Sequence, residues 1–169
     1  TSGQASGELT GMKIAYVEID TLLAQYNFCI DLNEGMVKKS ENVRLTLNQK
    51  ARELDKQKQD FQTKYQNNAY LSPERAQQEY NRIAKLEQDL QTLSNKLQSE
   101  LMSENEKNSL QLRDSINAFL KEYNKTKGYS MIISNTGFDN LLYADSIYNI
   151  TKEIVEGLNA RYSSPAAKK

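Results

Sequence analysis

The sequence predicts an α+β protein in which a long antiparallel α-helical coiled-coil hairpin is inserted in a small β head. Three observations predict this class. Between Gly35 and Gly128 the chain has no glycine, and its only proline there is Pro73, near the middle. Apolar residues on both sides of Pro73 recur in steps of three and four, which is the spacing of a helical seam. Segments with strand character lie outside this region.

The residues before the glycine-free region predict the first part of the head, residues 12–34. Met12–Ile19 is rich in β-branched and aromatic side chains, which favour a strand. Asp20 is placed to cap a short helix through Thr21–Tyr26. Residues 1–11 are mostly small and polar, which predicts a flexible N-terminal segment.

Residues 35–127 predict a helical hairpin, or tentacle. They are rich in Gln, Lys, Glu and Leu, whose straight side chains lose little rotamer freedom in a helix. Pro73 suits the first turn of a helix, and Ser72 before it can cap that helix. The chain therefore follows one helix outward, turns near Asn68–Ser72 and returns along a second helix. Helices of about 35–50 residues would be about 50–75 Å long.

The apolar spacing along both helices predicts a left-handed coiled coil rather than a bundle, because a bundle helix usually carries a wider apolar stripe. The seam positions of the outgoing helix are Val43, Leu47, Ala51, Leu54, Lys58, Phe61 and Tyr65. Those of the returning helix are Ala76, Tyr80, Ile83, Leu86, Leu90, Leu93, Leu97 and Leu101.

Both stripes become polar at the same height, where Lys38–Asn42 would face Ser103–Ser109. Matched polar layers weaken packing in a coiled coil and can also fix its register. The pattern therefore indicates either a flexible root of the tentacle or a register marker.

The residues after Gly128 predict the second part of the head, residues 128–162. Tyr129–Ser134 and Leu141–Ala144 are expected to form a β-hairpin across the turn Asn135–Gly137. Thr151 is placed to cap a final helix. The face of that helix predicted to be apolar contains Ile154, Val155 and Leu158.

Three short strands and a small helix are too few for a stable head, since a small sheet needs more strands or a covering layer. We therefore expect several copies to complete a shared sheet or barrel. Residues 163–169 are mostly small and polar, which predicts a flexible tail. The predicted assembly residues are the apolar residues of the strands: Ile14, Tyr16, Val17, Ile19, Met131, Ile133, Leu142 and Tyr143.

The composition gives no support to catalysis. The chain has no histidine, which is the commonest general base and metal ligand in proteins. Cys29 is the only cysteine, and it lies between two apolar residues, as a small buried side chain would. No glycine-rich phosphate loop occurs. The sequence therefore predicts no catalytic residue, no cofactor and no metal site.

Charge also limits the partners. Acidic and basic residues balance at 22 each, which argues against a general nucleic-acid binder. The outgoing helix is nevertheless basic, since residues 36–70 carry eight basic and four acidic side chains. Such a surplus could favour acidic or lipid-associated partners, although a solvated helix face is the commoner explanation.

Five motifs follow one another along the chain: one opens the fold, one turns the hairpin, one restarts the sheet and two lead into the last helix. They are Met12–Asp20, Leu71–Glu74, Lys127–Ser134, Leu141–Asp145 and Asn149–Thr151. Together they resemble the OmpH/Skp family of periplasmic chaperones, and the resemblance covers Met12 to about Leu158.

The resemblance implies a homotrimer whose heads form a shared β-barrel and whose tentacles surround a cavity. Members of the family hold unfolded outer-membrane proteins there without ATP, in the periplasm of Gram-negative bacteria. Typical members are strongly basic, whereas this chain is neutral. Contact with a membrane surface or with lipopolysaccharide is therefore not expected here.

The candidate client contacts are apolar and aromatic residues near the turn of the tentacle, which could instead only seal the end of the coil. They are Phe61, Tyr65, Tyr70, Leu71 and Tyr80. Two other classes remain open at this point. One is a structural or tethering coiled-coil protein of the cell envelope. The other is a prefoldin-like chaperone, but its strands lie between the helices, whereas here they flank them.

Overall fold

The computed structural model describes residues 11–137 and 141–163. Across these residues the protein is mostly helical, with a small two-stranded parallel sheet. The elements in chain order are β1 (Ile14–Glu18), α1 (Ile19–Gln25), α2 (Asn27–Gln66), α3 (Pro73–Lys127), β2 (Met131–Asn135), a short 3-10 helix (Ser146–Tyr148) and α4 (Thr151–Arg161).

The chain divides into two compact units. Within the described residues, the first unit comprises residues 11–33, 108–137 and 141–163, and the second comprises Glu34–Lys107. Helices α2 and α3 each contribute residues to both units, while the sheet and the two shorter α-helices belong to the first.

The sheet of the first unit joins β1 and β2 in parallel. Its register runs from Ile14 opposite Met131 to Glu18 opposite Asn135. On its other side β1 forms a bridge to Asn149, and the Ile150 N–H donates to the Tyr16 carbonyl at 3.1 Å. Strand β1 is thus paired on both sides, whereas β2 has one partner strand among the described residues.

The predicted β-hairpin is wrong. Its first strand corresponds to β2, but β2 pairs with β1, and Leu141–Ala144 is not a strand. Residues 138–140, in the predicted connection, lie outside the described residues. Strand propensity indicates that both segments favour an extended backbone, but it does not determine which strand pairs with β2. Strand β1 contributes Ala15 and Val17 to the core, so pairing with it also brings β2 to buried apolar surface.

The core of the first unit packs α1, α4 and the adjoining parts of α2 and α3 around β1. Its buried residues are Ala15, Val17, Leu22, Tyr26, Cys29, Phe119, Ile150, Ile154, Val155 and Leu158. The predicted apolar face of α4 is therefore confirmed, and so is the interpretation of Cys29 as a buried small side chain. Gly157 permits a close approach, because a Cβ atom there would lie 2.3 Å from Cζ of Phe119.

Two asparagine side chains form hydrogen bonds to backbone groups near helix ends in this unit. Asn159 on α4 accepts a hydrogen bond from the Asn27 N–H at 2.8 Å and donates one to the Gln25 carbonyl at 3.0 Å. It thereby satisfies backbone groups on both sides of the break between α1 and α2. Asn124 acts similarly, accepting from the Tyr129 N–H at 2.7 Å and donating to the Tyr129 carbonyl at 2.9 Å.

Two predicted caps are wrong. Asp20 lies in the first turn of α1 and Glu18 is the N-cap residue, because β1 runs directly into the helix. Thr151 is the first residue of α4 rather than its cap. Its buried hydroxyl accepts from the Glu18 N–H at 2.9 Å and donates to Asn149 Oδ1 at 2.6 Å. The Thr151 hydroxyl therefore bonds to a backbone group that is distant in the sequence instead of capping its own helix.

The end of α3 is fixed by a glycine and an ion pair. Gly128 has a φ of +69°, the left-handed conformation that ends helices, as the sequence predicted. Lys127 lies before it and pairs with Glu153 in the first turn of α4 at 2.9 Å. Since Lys127 donates to it, the pKa of Glu153 lies below its usual range.

In the second unit, α2 and α3 run antiparallel. Lys39 forms an ion pair with Glu104, and further along α2 Lys58 pairs with Glu87 at 2.9 Å. Residues later in α2 thus pair with residues earlier in α3, as antiparallel helices require. The two long helices of the prediction are confirmed, whereas the supercoil remains a prediction.

The predicted turn is confirmed in its details. Asn68 has a positive φ of 51°, a conformation that asparagine tolerates. Ser72 Oγ accepts from the Arg75 N–H at 3.2 Å, and α3 begins at Pro73. Ala51, which the heptad series assigned to the seam, is exposed. No helix among the described residues is both long and apolar enough to span a bilayer.

Candidate functional site

The five candidate contact residues of the tentacle lie at one end of the second unit, and four of them form an aromatic cluster. Phe61 is the centre of this tip cluster. Its ring centroid lies 5.9 Å from that of Tyr65, 5.6 Å from that of Tyr70 and 6.1 Å from that of Tyr80. Tyr65 stands one turn from Phe61 on α2, while the reversal at the turn brings the other two rings back.

The rings do not seal one another from solvent. Leu71, at the turn, is 93% exposed. Tyr65 and Tyr80 are also exposed, although the heptad series placed both in the seam, and Phe61 and Tyr70 are half-buried. A sealed helix end would hide these rings, whereas here the cluster leaves apolar surface exposed to solvent.

Charged residues border the tip cluster on the side of Tyr70. Lys64 and Arg75 line a cleft with Tyr70, and Arg82 pairs there with Glu79 at 2.5 Å. The bond from Arg82 holds the pKa of Glu79 below its usual value. Burial, with a smaller effect from Glu79, raises the pKa of Tyr70, so this phenol stays neutral at ordinary pH.

The second candidate surface is the edge of β2 that has no partner strand among the described residues of the first unit. The Ser130 N–H donates to the Lys13 carbonyl at 2.7 Å, so alternate backbone groups of β2 point toward β1. By that alternation the backbone groups of Met131 and Ile133 point the other way. An unpaired strand edge is a template for pairing with another chain.

The predicted assembly residues fall into three groups. Tyr16 and Val17 are buried in the first unit itself. The half-buried group is Ile14, Ile19 and Ile133. The exposed group is Met131, Leu142 and Tyr143, the last two being 81% and 84% exposed.

Sequence reasoning missed four exposed apolar residues of the same unit, Met12, Leu110, Ile147 and Tyr148. A partial signal exists for two of them, because Ile147 and Tyr148 follow the apolar run that ends at Ala144. Together with the exposed assembly residues they give this unit an apolar surface that its own core does not use.

The described residues were compared with the arrangement that a metal ion needs. They contain no group of three or more Cys, Asp and Glu side chains placed to hold a metal ion. Burial raises the pKa of the Cys29 thiol, which also accepts a hydrogen bond from Asn33. A buried thiol with a raised pKa is a poor nucleophile.

These observations define the class. This is an α+β protein whose first unit has an open strand edge and whose second unit is a helical hairpin with an exposed aromatic tip cluster.

Comparison with known proteins identifies the family. The family model of OmpH-like outer membrane proteins matches residues 13–158, so the chain belongs to the OmpH-like family and the resemblance is confirmed. A crystal structure from Caulobacter crescentus, provisionally assigned as an OmpH-like outer membrane chaperone, has a similar fold, with a TM-score of 0.79 and 12% sequence identity. The match covers 96% of this chain and 92% of that chain. A comparison with curated protein sequences found no match.

Proposed function

We propose that this protein is an ATP-independent holdase chaperone that binds unfolded outer-membrane β-barrel proteins in the periplasm of a Gram-negative bacterium. The observation that carries the proposal is the exposed tip cluster of a hairpin in a chain of the OmpH-like family. The residues of the tip cluster would touch the client through weak apolar contacts, which allow the client to be released without a nucleotide cycle.

The tip cluster suits such contacts. Tyrosine rings supply apolar area and a polar end, so they can meet both the apolar and the polar sides of an unfolded membrane strand. Leu71 adds an aliphatic contact at the turn. Several exposed side chains of this kind give many weak contacts rather than one deep pocket, which allows clients of different sequence to bind.

We further propose that the protein acts as a homotrimer whose first units share a sheet or barrel, around which coiled-coil hairpins enclose the client. The edge of β2, unpaired among the described residues, and the exposed apolar residues of the first unit support assembly. The number three comes from the family resemblance. Val17 and Tyr16 would support assembly only indirectly, because they are buried within one chain.

Exposed positions give the sharper test of assembly. Replacing Leu142→Lys together with Tyr143→Lys leaves the core of the first unit intact, so the chain should fold and sediment as a monomer. Leu71→Lys is the control, since Leu71 is equally exposed but lies in the second unit, and it should leave the trimer intact. A folded wild-type monomer in sedimentation equilibrium contradicts this proposal.

The holdase activity is tested by shortening the hairpin. Deleting Phe61 to Ile83 and inserting a short turn removes the tip cluster, together with about 9 Å of α2 and about 16 Å of α3. The first unit contains none of these residues, so the variant should assemble like the wild type.

Light scattering of an outer-membrane protein diluted from urea provides the measurement. The wild type in molar excess should suppress aggregation without nucleotide, and the shortened variant should do so much less. If the wild type leaves aggregation unchanged, the protein is instead a structural tether of the cell envelope.

A further inference from the structure

One flank of α3 in the second unit carries no charge over about seven turns. Its residues recur in steps of four and three, so they share one face of the helix. All of them are exposed. This neutral stripe consists of Gln77, Asn81, Ala84, Gln88, Gln91, Asn95, Gln98 and Met102.

The charged residues of the same stretch lie off this stripe. Lys85 and Asp89 are neighbours on the other flank, 4.0 Å apart, and Glu87 pairs across to Lys58 on α2. The remaining charged residues between positions 77 and 102 are Glu79, Arg82, Lys96 and Glu100.

Helix α2 has no such neutral face. Its solvent-facing series, taken at the same spacing opposite the seam, includes Lys38, Glu41, Arg52 and Asp55. The two helices therefore differ in charge pattern although both are long, polar and exposed. General solubility does not account for this difference, since it would not keep one face of only one helix free of charge.

The side chains of the stripe can bond to a peptide backbone. Gln77 donates to Asn81 at 3.0 Å, and Gln91 donates to Asn95 at 3.2 Å. A side-chain amide has two N–H donors and an acceptor oxygen, so one internal bond leaves most of this capacity open. Because the stripe contains no charged group, no ion would lose its hydration when a neutral chain lies on it.

We propose that the neutral stripe is the surface on which one extended, uncharged segment of the client lies, a proposal that rests on the holdase function above. From Gln77 to Met102 the stripe is about 37 Å long at 1.5 Å per residue. An extended chain of that length has about 11 residues. A transmembrane β-strand has about 9–11 residues, and its lipid-facing side chains are apolar. Length and charge thus both fit one unfolded membrane strand.

Added charge tests the stripe. Two double variants, Gln88→Lys with Asn95→Lys and Gln88→Glu with Asn95→Glu, keep good helix formers in place. Both should weaken binding of a fluorescently labelled outer-membrane protein by about tenfold, because either sign must be desolvated. The control Gln49→Lys with Gln62→Lys adds the same charge to exposed positions of α2 and should change affinity by less than about twofold.

The outcomes separate the two proposals. If the wild type binds no client, the holdase proposal fails and this one fails with it. If the wild type binds and both stripe variants bind equally well, only the stripe proposal fails. Tighter binding by the lysine variant, or a changed oligomer mass in both, also overturns it, since the stripe would then select for charge or contact a second copy.

Photo-crosslinking gives an independent readout of the same surface. A photoreactive residue at Gln91 should crosslink the client, and one at Asp89, two positions away on the charged flank, should crosslink much less. Equal yields at both positions contradict the proposal even if the charge variants behave as expected.

Discussion

The two units of this protein use their apolar residues in opposite ways. The first unit buries apolar residues from four helices and β1 in one continuous core. Within residues 34–107, all of which the structure describes, the buried hydrophobic residues are Leu54, Ala76 and Ile83. The tip cluster of this unit, which contains its largest rings, stays largely open to solvent.

This difference assigns different physical tasks to the two units. A closed core supplies cooperative stability, whereas half-exposed helices with a solvated surface supply contact area at little cost in stability. We therefore expect core mutations in the first unit to act on folding and surface mutations in the second unit to act on binding. The following predictions compare the two units, and stability should be measured at one protein concentration because assembly contributes to it.

The largest expected difference concerns leucine truncation. Leu158→Ala removes a side chain that is 1% exposed and should cost about 2–5 kcal/mol in the free energy of unfolding. Leu97→Ala, at a half-buried position of the second unit, should cost about half as much. Urea denaturation measures both, and equal losses would remove the contrast between the units.

Two glycines give a comparison of opposite sign. Gly157→Ala should destabilise the protein by about 1–3 kcal/mol, because the new Cβ would lie 2.3 Å from the buried Phe119 ring. Gly35→Ala, within α2 and with no atom near its added Cβ, should stabilise by up to about 1 kcal/mol. Thermal denaturation would contradict the account if both variants shifted in the same direction.

The ion pair of Lys127 and Glu153 gives a smaller, pH-dependent effect. Because the pKa of Glu153 is lowered in the folded protein, its contribution is complete above the unfolded pKa of about 4.3 and is lost as pH falls through the folded value. Glu153→Gln should therefore be slightly less stable than the wild type at pH 7 and equal to it at the acid end.

Glu156→Gln is the control for that experiment. Glu156 lies on the same helix and its pair with Lys152 is at 4.0 Å, so its replacement should leave stability unchanged at neutral pH. A stability difference for Glu153→Gln that persists unchanged into acid would show that the ion pair is not its source.

The smallest expected effect lies within the second unit. Backbone amides of residues 38–42 and 103–107, where both stripes are polar, should exchange hydrogen faster than those of residues 86–97. The ion pair of Lys39 and Glu104 joins the helices at this level, but exposed pairs contribute little. Uniform protection along the hairpin would contradict this prediction.

Local signals explain what the sequence could predict. Ser72 before Pro73, and Gly128 after a long glycine-free run, set the bounds of α3 through groups within a few residues of each other. The tip cluster could also be predicted, because the position of the turn determines which residues of the two helices meet across it.

Non-local choices explain the errors. The partner of β2 is more than 100 residues away in β1, and no local pattern distinguishes it from Leu141–Ala144. Thr151 was misassigned for the same reason, since its hydroxyl binds Glu18 from the other end of the chain. The exposure of Tyr80 depends on how its ring packs on Phe61, which heptad spacing does not specify.

The central claim is that the second unit contacts the client while the first unit supplies stability and assembly. Hydrogen exchange of the protein with and without an unfolded outer-membrane protein tests it most directly. We predict that client binding slows exchange at residues 61–102 and leaves the amides of β1 and α4 unchanged. Slower exchange confined to β1 and α4, with residues 61–102 unaffected, would contradict the claim.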